Sequence, residues 1–268
     1  MESFHFTPGD TPMLMSIPHG GTALPGDLAG RLTPEAQRLP DTDWHLERLY
    51  DFVPTLGIAI LRAEFSRYAI DLNRAPDGSA LYPGARNSEL VPVTTFANEP
   101  IYRKGPAPDA REIARRREQF WKPYHARLAG SLEEIKRRHG HAVLFDCHSI
   151  RSAVPRFFDG RLPDFNLGTA DGSSCDGSLR DRLAGSLAGF DTYSLAVDGR
   201  FKGGYITRHY GAPKDGIHAF QLELSYATYM EDDPPFTFRD DLAERVRPAL
   251  KSMLETALEW GPNKRAAR

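Results

Sequence analysis

The chain has 268 residues, 40% apolar and 26% charged, with a formal net charge of −2. That composition belongs to an ordinary globular protein, long for one compact domain but within the range of a single α/β enzyme domain, and it excludes extensive disorder. The near-zero charge excludes a general attraction to nucleic acid or to an anionic membrane, so an anionic ligand must be met by a few placed arginines.

Two cysteines, Cys147 and Cys175, make no disulfide framework. Residues 1–10 are mixed and polar, not charged and then apolar, and no apolar run nears the roughly 20 residues of a spanning helix. The expectation is a soluble, reduced, cytoplasmic protein without a membrane or nucleic-acid partner. The sequence leaves the oligomeric state open, a monomer among the possibilities.

Residues 13–17 form a short apolar run stopped by Pro18, which reads as a buried strand delivering His19 into a Gly-Gly turn. Asp41 or Asp43 opens a helical pattern in which Leu46, Leu49, Tyr50 and Val53 recur at spacings of three and four, closed by Pro54 and Gly57. Residues 58–61 and 68–72 read as two more strands, the second ending in Asn73-Arg74. Residues 75–107, rich in Pro, Gly and Asn, read as a long loop region. Residues 108–139 are the clearest helix, with Ile113, Phe120, Trp121, Tyr124 and Leu128 apolar and a basic last turn before Gly140.

Residues 141–145 read as a buried strand followed by Asp146-Cys147-His148-Ser149. The stretch 159–177 reads as a loop, 179–187 as a helix, 193–197 and 219–224 as strands, and 238–260 as a closing helix. The tail 262–268 is expected to fray. Short apolar strands alternating with helices predict an α/β fold with a central mixed, mostly parallel sheet flanked by helices in three layers. No internal repeat or linker divides residues 1–268, which read as a single domain.

In an open α/β sheet, ligands bind beyond the carboxyl ends of strands. His19, Asn73-Arg74 and Asp146/His148 stand at expected strand ends, and Glu223 stands near the end of Gln-Leu-Glu-Leu at 221–224. Two imidazoles and a carboxylate make a catalytic zinc site with one position open to water. A separate carboxylate can shuttle a proton, and Arg with Asn can hold a substrate carboxylate. Together these parts describe hydrolysis of an amide on a carboxylate-bearing small molecule. Each part also has a structural reading. Asp146 reads either as orienting an imidazole or as capping a turn, Asn73-Arg74 also reads as ordinary turn chemistry, and Glu223 also reads as a paired structural acid. Cys147 is expected to face the core side of its strand, away from Asp146 and His148.

Seven motifs stand in order: Ser-Ile-Pro-His-Gly-Gly at 16–21, Pro-Asp-Thr-Asp-Trp at 40–44, Ser-Arg-Tyr-Ala-Ile-Asp-Leu-Asn-Arg at 66–74, Asp-Cys-His-Ser-Ile at 146–150, Asn-Leu-Gly-Thr-Ala-Asp-Gly at 166–172, Phe-Lys-Gly-Gly-Tyr-Ile-Thr-Arg-His-Tyr-Gly at 201–211 and Gln-Leu-Glu-Leu. The series resembles the N-formylglutamate amidohydrolase (deformylase) family of histidine degradation, over about residues 12–260. That family is similar in core fold to zinc carboxypeptidases and aspartoacylases. The resemblance implies one divalent metal, with zinc the expected ion, and hydrolysis of N-formyl-L-glutamate to formate and L-glutamate. It implies His19 and His148 as metal ligands, Glu223 as general base, Asn73 and Arg74 as a carboxylate clamp, and Arg67 and Arg208 as further substrate contacts. Its relatives place an acidic ligand three residues after the first histidine, where this chain has Thr22. Asp43 is therefore the expected third ligand, with Asp41 the alternate. His209 is expected to contact substrate from the Gly-rich loop, and His218 to be a ligand, a shuttle or only a strand-start residue. Three rivals remain at this stage: an amidohydrolase for another N-acyl amino acid, a non-catalytic amino-acid-binding protein, and a cysteine hydrolase using Cys147.

Overall fold

Runs that are apolar at every position form the middle of a sheet, because helices cover both of its faces. The computed structural model describes residues 2–80, 88–105 and 107–262. Its strands are β1 (Phe4–Thr7), β2 (Met13–Ile17), β3 (Ala59–Ala63), β4 (Ala142–Ile150), β5 (Phe165–Gly168), β6 (Leu195–Val197) and β7 (Ile217–Ser225). Among the described residues they make one sheet in the order β1-β3-β2-β4-β7-β5-β6. The pairs β2–β3, β2–β4, β4–β7 and β5–β6 are parallel, and β1–β3 and β5–β7 are antiparallel. The sheet is thus mixed and mostly parallel, as the alternation of elements implied.

Helices α1 (Leu28–Arg31), α2 (Leu46–Leu49), α3 (Ala110–Arg116), α4 (Lys122–His139), α5 (Gly177–Ala188), α6 (Tyr205–Tyr210) and α7 (Asp240–Glu259) surround it. A π-helical turn, Arg117–Trp121, joins α3 to α4 without a break. Strand side chains alternate between faces. Val143, Phe145 and Cys147 of β4 join Phe220, Leu222 and Leu224 of β7 in a core closed by α5 and α7. Leu144 and Ala219 point the other way, onto Tyr124, Leu128 and Leu132 of α4 and Ile206 of α6. Leu128→Ala, at a fully buried position, is expected to cost about 2–5 kcal/mol. No helix among the described residues is long and apolar enough to cross a membrane.

Several elements differ from the sequence expectation. The segment 68–72 is not a strand. It begins in a turn, with Ala69 N–H on the Ser66 carbonyl, and side chains rather than a ladder take its carbonyls. The helix opened by Asp41 or Asp43 shrinks to α2 plus a 3-10 turn, Val53–Leu56. It starts at His45 in the left-handed region, φ 60°, with no side-chain cap, because both aspartates are bonded elsewhere. β4 runs on to Ile150, so Asp146 and His148 lie inside it. β5 falls within the expected 159–177 loop, paired on one side with β7 and on the other with β6. The helical stretch from Ala110 to His139 ends as expected, at Gly140 in the left-handed region (φ 79°) with its N–H on the Lys136 carbonyl. In the 75–107 loop, residues 81–87 and 106 lie outside the described residues, as does the tail from 263 onward.

Candidate active site

The parity of β4 and β7 decides which polar residues meet. Asp146 and His148 follow Leu144 on the α4/α6 face of β4, and Gln221 and Glu223 follow Ala219 on the same face of β7. Parallel register sets Asp146 beside Gln221 and His148 beside Glu223. His19 comes off the end of β2, the neighbour on the other side of β4. Gly21 is required next to it, since a Cβ there would sit 2.5 Å from the Phe65 carbonyl oxygen. Cys147 faces the opposite core, fully buried, and burial pushes its thiol well above its ordinary range. That is the reverse of an activated thiolate.

His19, Asp43 and His148 form a buried group that could hold a metal ion, with one ligand atom from each within 4.8 Å of the others. His148 Nδ1 lies 2.9 Å and His19 Nδ1 3.8 Å from Asp43 Oδ2. On their far sides the imidazoles meet carboxylates: His19 Nε2 lies 2.6 Å from Asp71 Oδ1, and His148 Nε2 lies 2.9 Å from Asp146 Oδ1. An N–H donated to a carboxylate at Nε2 leaves the Nδ1 lone pair facing the group, which is how metal-binding histidines are commonly oriented. The donor set therefore fits a divalent ion.

Asp43 reaches the group from a turn, its N–H on the His19 carbonyl at 3.1 Å. Ser149 N–H donates to its Oδ2 at 3.2 Å. The carbonyls of the residues flanking Asp43 are held by tyrosines: Tyr226 OH donates to the Thr42 carbonyl, and Tyr229 OH donates to the Trp44 carbonyl at 2.8 Å. Asp41 is used differently. It accepts from Tyr68 OH at 2.6 Å and from Phe96 N–H at 3.0 Å, and it is not in the group. Thr22 is exposed. The acid in the buried group is Asp43.

Electrostatics follows from burial. Burial, aided by the Arg67 charge, holds His19 down at about 4, so it is neutral at pH 7. Burial also opposes charge on His148, but Asp146 and Asp43 outweigh it and lift its pKa well above the usual value. Burial lifts Glu223 to about 8, with His148 opposing and Asp43 reinforcing. A carboxyl raised in this way suits proton transfer near neutral pH.

These side chains line one cleft that is open at its mouth. Arg67, Asn73 and Arg74 line it too. Arg67 is buried, with Nη2 against His19 Nδ1 and its guanidinium 5.0 Å from the Phe96 ring centroid. Arg74 donates to the Asn73 carbonyl at 2.8 Å and to Ser88 Oγ at 2.7 Å. Asn73 Nδ2 donates to Asp146 Oδ2 at 3.1 Å, while its Oδ1 accepts Ile206 N–H at 2.7 Å. A Cβ at Gly204 would collide with the Asn73 carboxamide, which accounts for the second glycine of Phe-Lys-Gly-Gly.

Arg208 and His209 are not brought to this cleft. α6 turns Ile206 and Thr207 inward and leaves positions 208 and 209 exposed. Arg208 donates to the Gly203 carbonyl at 2.9 Å, and His209 stacks on Tyr205 at 4.8 Å. His218 lies toward the opposite end of β7, accepting Asp176 N–H at 3.1 Å. Sequence reasoning passed over Asp71 and Arg200. Asp71 carried a signal, a carboxylate two residues before Asn73 in the same motif. Arg200, which lines the cleft, had none, since nothing in its local spacing relates it to a strand end.

Fold and cleft place the chain among α/β proteins that carry a buried His–Asp–His group at the strand ends of a mixed sheet. It belongs to the N-formylglutamate amidohydrolase family, whose profile matches residues 11–230. It is 50% identical over 259 residues to the N-formylglutamate deformylase of Pseudomonas putida, covering 97% of this chain and 96% of that one. It is 49% identical to the enzyme of that name from Pseudomonas aeruginosa, covering 97% of each chain. The crystal structure of N-formylglutamate amidohydrolase from Ralstonia eutropha JMP134 superimposes with a TM-score of 0.81 at 26% identity, over 96% of this chain and 97% of that one. An Agrobacterium tumefaciens protein shares the fold at a TM-score of 0.65 and 16% identity, over 96% of this chain and 93% of that one.

Proposed function

We propose that this protein hydrolyses N-formyl-L-glutamate to formate and L-glutamate, using a divalent metal held by His19, Asp43 and His148, with zinc the expected ion. The observation that carries the reading is the buried His–Asp–His group opening onto the same cleft as Glu223 and three arginines. The names and extent of the relatives support the substrate. When bound, the ion supplies Lewis acidity, lowering the pKa of water and polarising a carbonyl.

The chain's own residues do the rest. Glu223 accepts a proton from the attacking water as its oxygen bonds to the formyl carbon. It returns that proton to the amide nitrogen as the C–N bond breaks, so formate and a free amine leave. Asp71 and Asp146 hold the two imidazoles in orientation through the bonds at Nε2. Arg67, beside His19, stands where negative charge develops on the formyl oxygen. Asn73 and Arg74 hold the α-carboxylate.

One sheet supplies or adjoins every cleft residue named, which supports residues 1–268 as a single domain. Two buried free cysteines fit a reducing, cytoplasmic setting.

The test is formate release from N-formyl-L-glutamate before and after chelation, with zinc, manganese and cobalt added back. Turnover that is lost on chelation and restored by an ion supports the reading. Turnover indifferent to chelation removes the metal, and faster hydrolysis of N-acetylaspartate or of a carboxypeptidase substrate replaces the substrate.

A further inference from the structure

The cleft holds more cationic groups than one carboxylate needs, and they are not equivalent. Arg67 faces the metal group and the reacting carbonyl, away from the far wall of the cleft. Its guanidinium lies among Asp71, Asp43, Asp41 and Glu223, whose charges hold it firmly protonated against the cost of burial. Arg74 belongs to the 68–74 segment, tied to Asn73 and Ser88 on the side of the metal group. Arg200 comes from a different part of the chain, the connection between β6 and α6.

Arg200 stands in apolar company. Its Nε donates to the Phe157 carbonyl at 2.6 Å, and its guanidinium carbon lies 6.0 Å from the Phe157 ring centroid and 5.4 Å from that of Phe201. Ile150, Phe157 and Phe201 line the cleft beside it. These belong to a small cluster of their own around Ile150, Val154 and Leu162. Phe157 is braced edge-to-face by Phe96, with centroids 4.9 Å apart. A guanidinium held at Nε against a rigid aromatic wall is preorganised, and its five donors can serve more than one partner.

A glutamate derivative matches this division. Its α-carboxylate is next to the reacting nitrogen, while its second carboxylate lies beyond two methylenes. The Ile150–Phe157–Phe201 wall suits the methylenes, and Arg200 stands beside that wall. We propose that Arg200 is the specificity-determining residue that takes the side-chain carboxylate, while Asn73 and Arg74 take the α-carboxylate. This assignment rests on the proposed reaction and goes beyond it, by saying how the cleft tells a dicarboxylate from a monocarboxylate.

The experiment compares kcat/KM for N-formyl-L-glutamate and its neutral isostere N-formyl-L-glutamine, using the metal-loaded full chain. The variants are Arg200→Met, Arg200→Lys and Arg74→Met, each checked for metal content and thermal unfolding. Arg200→Met keeps the stem against Phe157. It is expected to lower kcat/KM on the glutamate substrate about 10–100-fold, mostly through KM, the size of one charge-assisted contact. The rate on the glutamine substrate should stay near wild type, so the preference collapses. Arg200→Lys should keep part of the preference, and serves as the reading if Arg200→Met does not fold. Arg74→Met should lower both substrates alike. Equal losses on both substrates in the Arg200 variants, no loss on either, or a preference abolished by Arg74→Met alone overturns the assignment while leaving the reaction standing. Failure of the wild-type protein to release formate from N-formyl-L-glutamate overturns the reaction and the assignment together.

Discussion

The two halves of the cleft are held in place by different physics. His148 and Glu223 sit opposite each other on β4 and β7 because a ladder of main-chain hydrogen bonds fixes their register. Asp71, Asn73 and Arg74 sit on a segment with no ladder. One face of the α3–π–α4 helix reads its carbonyls one at a time. Arg116 Nη1 takes the Tyr68 and Ala69 carbonyls at 3.2 and 2.9 Å. His125 Nε2 donates to the Leu72 carbonyl at 2.8 Å, and Trp121 Nε1 donates to the Arg74 carbonyl at 3.0 Å. The π turn makes this possible by setting Arg116 and Trp121, five positions apart, on the same side as His125. A ladder spreads its load over many equivalent bonds. A side-chain clamp concentrates it on three residues. The strand-held half should therefore be sensitive in its chemistry and the clamped half in its geometry and stability.

The sharpest break is expected in the strand-held half. His148→Ala should lose metal content and turnover together, read by elemental analysis and formate release, and a fully metallated active variant would end its role as a ligand. Glu223→Gln should keep the metal and lose about 10²–10⁴-fold in kcat. Unchanged kcat would remove it as the base. In the clamped half, Arg116→Met leaves two buried carbonyls and Glu112 short of a partner, although Arg31 still bonds Glu112 at 2.7 Å. The expected loss is about 1–3 kcal/mol for each unpaired buried carbonyl in urea unfolding, with a raised KM and normal metal content.

A pH series sharpens the same comparison. Burial lowers His125 from 6.5 to about 4 in the folded protein. Below about pH 6.5 the unfolded chain takes up a proton that the folded chain refuses until about pH 4, so stability falls as pH drops through that window. The loss approaches about 3 kcal/mol at pH 4, at roughly 1.4 kcal/mol per unit. His125→Gln should flatten the difference between unfolding at pH 7 and at pH 4.5 relative to wild type, and an unchanged slope would show that His125 does not carry it. Trp121→Phe is expected to be the mildest, about 1–3 kcal/mol for one unpaired buried carbonyl, visible chiefly as a higher KM. A loss of metal in that variant would mean that the two halves are not independent.

The same division explains what could be read in advance. The strands that carry His19, His148 and Glu223 were legible because burial on both faces leaves a continuous apolar run, and alternation put Cys147 opposite its neighbours. The segment at 68–72 looks like such a run, and its extended, buried backbone misled in the same measure. Nothing local distinguishes carbonyls bonded to a strand from carbonyls bonded to Arg116, His125 and Trp121. Asp43 and Asp41 were indistinguishable for a related reason. Their difference lies in which one is brought under His148 and which one under Tyr68, two residues far away in the chain. The family resemblance implies Arg208 as a substrate contact, and the turn of α6 sends it outward.

By itself, the sequence determined the α/β class, the mostly parallel sheet, the motif series and the chemical types gathered near strand ends. Those depend on local periodicity and on residue chemistry, both of which are written along the chain. Only the tertiary structure decided that Asp43 completes the buried group, that Asp71 bonds His19, that Arg200 stands in the cleft and that Arg208 and His209 do not. Each of those is a contact across tens or hundreds of residues, set by helix packing and by the register of β4 and β7, and no spacing in one dimension encodes it.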